Sequence, residues 1–139
     1  MDPTYLLTPF LAWLLAGTIK FLINSARAGK PAFGLIGYGG LPSNHTAIAS
    51  SVAFLIAYRE GFDAPAFGVA VAVTFIVVLD AASLRRQVGL HAEALNKLLA
   101  EKPGFYAGTL RERMGHTAIE IVAGLATGAV VAMFADRIF

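Results

Sequence analysis

Two histidines in this chain stand where a long apolar segment begins. His45 closes the tetrad Pro42-Ser43-Asn44-His45, and His116 opens the run His116-Thr117-Ala118-Ile119-Glu120. Imidazole titrates near neutral pH, so it can attack phosphorus or pass a proton, which no apolar neighbour can do. At the boundary between a membrane helix and water it also comes within reach of a lipid headgroup. Glu120 follows His116 by four residues, one turn on if the stretch is helical, where a carboxylate orients the ring and stabilises its cation. His45 is then free to protonate a leaving oxygen. Lys20, Arg27, Arg85 and Arg86 offer the positive charge that a phosphate and its transition state require. Ser43 and Asn44, with the amides of a helix start, suit anion oxygens. Asp80 is either an ion-pair partner for one of the arginines or a participant in the chemistry.

The elements that must position these groups are apolar helices. Of 139 residues 57% are hydrophobic and only 14% charged, whereas a soluble domain is nearer a quarter charged. The expected class is therefore an all-α integral membrane protein, with a single domain over residues 1–139. Four segments are expected to span: about Tyr5 to Ala26, His45 to Tyr58, Pro65 to Ala82 and His116 to Phe134. The second is short for the roughly 20 residues a bilayer requires. Asp2 and Lys20 do not suit a signal peptide, so the first segment is expected to be a retained helix. Val88, His91, Ala92, Leu95, Leu98 and Leu99 recur at helical spacing between Gln87 and Lys102, which predicts an amphipathic helix along the membrane surface, ended by Pro103-Gly104. On it His91 is expected to pack rather than to react.

Lys20 and Arg27, Ser43 to His45, Asp80 to Arg86, and His116 to Glu120 all fall at one end of an up-down bundle. Ionisable groups at such depth are costly and mark function by default. The segments 27–44 and 83–115 hold Arg27, Lys30, Arg85, Arg86, Lys97, Lys102, Arg111 and Arg113, against Arg59 and Arg137 on the other side. Cation bias places this end in the cytoplasm and both termini opposite. The glycines at 29, 34, 37, 39 and 40 let the first of these loops fold tightly and present backbone N–H groups. A net charge of +2 gives no case for nucleic acid, and the absence of cysteine excludes thiolate and disulfide chemistry. Gly124 and Gly128, four apart, allow close helix approach and offer a seam for a homodimer.

The residues then resemble a known family. Lys20, six residues and Arg27 are similar to the opening of the first signature of type 2 phosphatidic acid phosphatases. Pro42-Ser43-Asn44-His45 resembles their second signature, with Asn44 at its glycine position, and His116 with Glu120 resembles the end of the third. The match is closer to the small divergent branch described as acid phosphatase/vanadium-dependent haloperoxidase-related. There the pattern resembles Gly40 to Ala47, Asp80-Ala81 with Leu84-Arg85-Arg86, Leu95-Asn96 and Gly115-His116-Thr117. The resemblance implies His116 as a nucleophile forming a phosphohistidine, Glu120 as its orienting acid and His45 as general acid. It implies Lys20, Arg27, Ser43, Asn44 and an arginine of the 85–86 pair as phosphate ligands, with no metal and no cofactor. Two positions depart from the pattern: Ala28 replaces a proline, and no serine-arginine pair stands shortly before His116.

The expected function is thus hydrolysis of a phosphomonoester or diphosphate on a membrane lipid, in a bacterial plasma membrane. A binder or transporter of anionic headgroups, retaining the cation cage without turnover, is the competing expectation. A structural membrane subunit that needs a partner is a third.

Overall fold

The structure, a computed structural model, describes residues 2–33, 40–101 and 108–139. Gly34, Gly37, Gly39, Lys102, Pro103 and Gly104 lie outside the described residues. Five α-helices follow one another: α1 (Thr4–Ala28), α2 (Asn44–Arg59), α3 (Pro65–Leu79), α4 (Arg85–Ala100) and α5 (Ala118–Ile138), and no strand occurs among the described residues. Each boundary has a local cause. Gly29 ends α1 in the left-handed conformation, with φ of 63°. Ser43 caps α2. Pro65 supplies the first turn of α3, where its missing N–H costs nothing. Thr117 and Glu120 form a reciprocal capping box at the start of α5.

The packing is inside out relative to a water-soluble domain. Thr4, Thr8, Ala12, Ala16, Thr46, Ala47, Ser51 and Ala132 are inaccessible or nearly so, whereas Phe10, Trp13, Leu14, Phe75, Ile76, Val122 and Phe134 are exposed. Small residues at helix contacts and large apolar ones outside are what a hydrocarbon solvent favours. The buried hydroxyls are satisfied locally: Thr8 Oγ1 donates to the Thr4 carbonyl at 2.7 Å and Ser51 Oγ to the Ile48 carbonyl at 2.8 Å. Helix α2 is the centre, packed by α1, α3 and α5, while α1 also meets α5. Among the described residues three helical stretches are long and apolar enough to cross a membrane: α1, α5 and the rod running from α3 into α4. At 16 residues α2 falls short of that length, and it is the one its neighbours shield.

Gly124 and Gly128 serve the α2–α5 contact inside the chain and are buried there. A Cβ at Gly128 would lie 2.2 Å from Ser50 Oγ, and one at Gly124 would lie 2.7 Å from the Ser43 carbonyl oxygen. The face expected as a dimer seam is therefore already occupied by the chain's own second helix.

The amphipathic helix is present but is not a separate surface element. A π-helical turn, Asp80–Leu84, joins α3 to α4 without a break. The combined rod has 36 residues, about 54 Å at helical rise. No glycine or proline in Asp80-Ala81-Ala82-Ser83-Leu84 interrupts it. His91, expected to pack, is exposed, and Ala92 and Gly89 are the residues that α4 buries.

Candidate functional site

The starts of α2 and α5 are stitched together through the backbone. Ser43 N–H donates to the Glu120 carbonyl at 2.9 Å, across the close approach that Gly124 permits. His116 N–H donates to the Ala81 carbonyl at 3.0 Å, which ties the same point to the π-helical turn. Widened turns of this kind commonly sit at functional sites. Gly115, with φ of 89°, makes that contact feasible: a Cβ there would lie 3.1 Å from Arg86 N and 3.2 Å from the Ala81 oxygen. Three separate segments thus fix where the two histidines stand.

The rings of His45 and His116 meet edge to face, with centroids 6.5 Å apart. His45 is exposed and His116 half-buried. Among the described residues neither His116 nitrogen has a hydrogen-bond partner, although both are shielded from solvent, and the Asn44 side-chain oxygen is likewise buried and unpartnered. Orphaned buried polar atoms are rare and call for a reason. Lys20 reaches the same place from α1. It is 9% exposed and makes no hydrogen bond or salt bridge among the described residues, yet it and Arg85 lie close enough to both rings to act on them electrostatically. Burial, then Lys20, holds the His116 imidazole below its ordinary pKa, with smaller contributions from His45 and Arg85 and an opposing one from Glu120. The ring is accordingly neutral at neutral pH, the state a nucleophile requires.

Several expected site residues have other partners here. Glu120 does not hydrogen-bond His116. Its Oε2 accepts from Thr117 N–H at 2.8 Å, because α5 begins only at Ala118 and His116 lies before the cap, outside the helical i,i+4 relation. Ser43 is fully buried, and its Oγ accepts from Thr46 Oγ1 at 2.9 Å and from Thr46 N–H at 3.4 Å, so it serves the start of α2. Asp80 pairs with Arg85, Oδ2 to Nε at 2.5 Å, which is the structural alternative for that carboxylate. Arg27 and Arg86 are exposed, with no hydrogen bond or salt bridge among the described residues. The structure brings together Lys20, His45, Arg85, His116 and, electrostatically, Glu120, while the Asn44 side chain lies against α1 beside Gly17 and Phe21.

A clamp on α4 escaped the reading of single residues. Asn96 Oδ1 accepts from Leu110 N–H, and Asn96 Nδ2 donates to the Leu110 carbonyl and to Glu112 Oε1, each at 2.8 Å. One side chain thereby holds both backbone groups of Leu110. Gly89 lets the same segment lie against α4, since a Cβ there would meet the Glu112 carbonyl oxygen at 2.3 Å. The segment leads directly to Gly115 and His116. Asn96 within the Leu95-Asn96 block was the visible signal, but it carries no chemistry of its own.

This arrangement agrees with relationships to known proteins. The profile of the divergent PAP2 family matches residues 1–131. The chain belongs to that family. A member of the curated proteins, the uncharacterized membrane protein YuiD of Bacillus subtilis (strain 168), is 28% identical over 143 residues, covering 92% of this chain and 90% of its own. No solved structure matches the chain. The protein is an all-α membrane protein.

Proposed function

We propose that this divergent PAP2 protein hydrolyses a phosphomonoester or diphosphate on a membrane lipid. His116 attacks phosphorus to form a phosphohistidine, the bond to the leaving oxygen breaks, and His45 delivers a proton to that oxygen. Water then cleaves the phosphorus–nitrogen bond and releases phosphate. Lys20 and Arg85 hold the phosphoryl oxygens. Arg27 and Arg86 are free to join when an anion arrives. Glu120 acts on the His116 cation through its charge rather than through a hydrogen bond. The observation that carries this reading is a half-buried imidazole with neither nitrogen hydrogen-bonded, beside a buried lysine that makes no salt bridge, among the described residues.

The excess of cations in 27–44 and 83–115 supports a cytoplasmic site in the plasma membrane, with both termini on the other side. The chain has no cysteine, so Phe62→Cys, in the exposed connection between α2 and α3, reports sidedness. An impermeant maleimide added to intact cells should label it; labelling only after lysis would reverse the orientation.

A binder of anionic headgroups is the second reading. It is favoured by the hydrogen bonding of Glu120 to Thr117, which leaves His116 without an orienting carboxylate. Phosphate release from a panel of lipid phosphates in detergent micelles separates the two. Release by the wild type and none by His116→Ala supports the hydrolase. Binding across the panel without release supports the binder.

A further inference from the structure

A large apolar cavity is continuous with the two-histidine site. It is a groove of about 710 Å³ between α2 and α3, and apart from His45 every residue lining it is apolar. His45, Ile48, Val52 and Ile56 on α2 face Ala70 and Val77 on α3. No residue of α3 is buried, so the groove opens sideways, in the direction where the bilayer lies.

We infer that this groove seats the hydrocarbon chain of the lipid whose phosphate lies at His45 and His116. The inference rests on the proposed lipid-phosphate reading and adds where the lipid enters and which residues hold its chain. Length supports a chain as occupant. From His45 to Ile56 the groove follows α2 for about 16 Å at helical rise, close to half of a hydrocarbon core of about 30 Å. It therefore runs from headgroup level to the depth of one leaflet. Chemistry agrees, because a charged headgroup at the His45 end and an uninterrupted apolar wall below it match an amphiphile in that order. A second groove, of about 350 Å³, lies between α1 and α5. It is lined by Leu11, Leu15, Val131 and Phe134 among others and by no residue of the site.

The groove acts through register rather than through affinity. Lipid tails are as apolar as the side chains that would replace them around the chain, so moving from bilayer to groove gains little. What the groove fixes is the position of the headgroup against the histidines, which is where misplacement by an ångström becomes costly.

The test uses the full-length protein in phosphatidylcholine nanodiscs and hexadecyl phosphate carrying a diazirine near the chain end. Photolabelling should map to residues 48–56 and 66–77 and be displaced by unlabelled hexadecyl phosphate. Labelling on α1 and α5, or evenly over every exposed helix, would overturn the inference. In parallel, Ala70→Trp should lower the ratio of hexadecyl phosphate to p-nitrophenyl phosphate turnover by roughly tenfold, as expected for filling an occupied space. Val71→Trp, outside the groove lining, should leave that ratio alone. An unchanged ratio in Ala70→Trp would also overturn it, as would a groove occupied by a second copy, seen as a monomer after Ala70→Trp where the wild type is a dimer. Labelling does not depend on turnover, so labelled α2 and α3 without phosphate release would sink the hydrolase and leave the groove standing.

Discussion

The two ends of the helical bundle treat charge in opposite ways. At the end holding the chain termini, Arg59 from α2 pairs with Asp136 of α5 at 2.7 Å and with Asp2 ahead of α1. Its guanidinium also lies 5.7 Å from the Tyr5 ring centre, and Tyr5 Oη donates to Glu60 at 2.7 Å. Arg59, Asp2, Asp136 and Glu60 each have a counter-charge or a hydrogen-bond partner there, and the network ties three helix ends together. At the other end, among the described residues, Lys20 makes no salt bridge, with Glu120 acting on it only through its charge, both His116 nitrogens lack hydrogen-bond partners and the Asn44 oxygen is orphaned. Satisfied networks stabilise a fold, whereas buried groups left without partners cost stability and persist where a ligand completes them. Both ends contain ionisable residues at helix termini, so residue type alone does not separate anchor from site. Partnering does.

That contrast can be broken most directly at His116. His116→Ala should reduce turnover at least about a thousandfold, as loss of a nucleophile does, while the thermal midpoint stays put, because no partner is orphaned. Loss of fold in this variant would make the ring structural. Lys20→Met comes next, with a fall of about a hundredfold in kcat/KM, the size expected for one stabilising charge on the transition state. Its stability should hold or rise, since a buried charge is removed whose opposite charge, Glu120, makes no salt bridge with it.

The same variant sharpens the electrostatics. His116 must be neutral to attack, so activity falls as pH drops through its pKa. Burial and Lys20 both hold that pKa down, which places the acid limb of the wild type below pH 6.5, the ordinary histidine value. Removing the lysine should move the limb upward, with burial keeping it below the ordinary value. An unmoved limb would mean that Lys20 does not face the ring.

Further out, Asn96→Ala should lower kcat by roughly tenfold, because the clamp on Leu110 acts only through the placement of His116. The acid limb should not move. Gly128→Ala tests the bundle rather than the site. Its methyl group would meet Ser50 and Ala47, and the expected loss is about 1–3 kcal/mol of stability, with activity per folded molecule retained. The smallest effect is assigned to the other end: Arg59→Gln should lower the thermal midpoint modestly and leave catalytic constants unchanged. A catalytic defect in Arg59→Gln equal to that of Lys20→Met would erase the distinction between the two ends.

Most of the architecture was legible because membrane helices announce themselves by apolar length, and their limits by Gly29, Ser43, Pro65 and Thr117. The convergence of Lys20, His45, Asp80, Arg85 and His116 at one end followed from counting spans. Three features were not legible, each because tertiary contacts chose between local options. Ser43 is expected to meet an anion, and its bonds with Thr46 make it a cap instead. The spacing of His116 and Glu120 implied a helical pair, but the capping box starts the helix two residues after His116. The Asp80–Leu84 stretch contains no breaker, so nothing marked the π-helical turn that receives the His116 amide. Gly124 and Gly128 signalled a close helix contact correctly, and only the structure names α2 as the partner.

The central claim is that His116 bonds to phosphorus, and rapid acid-free quenching followed by peptide mass spectrometry tests it most directly. During turnover of a lipid phosphate the account predicts an acid-labile phosphoryl group on the peptide containing His116, absent in His116→Ala. Turnover without that adduct, or an adduct on His45 instead, would contradict it.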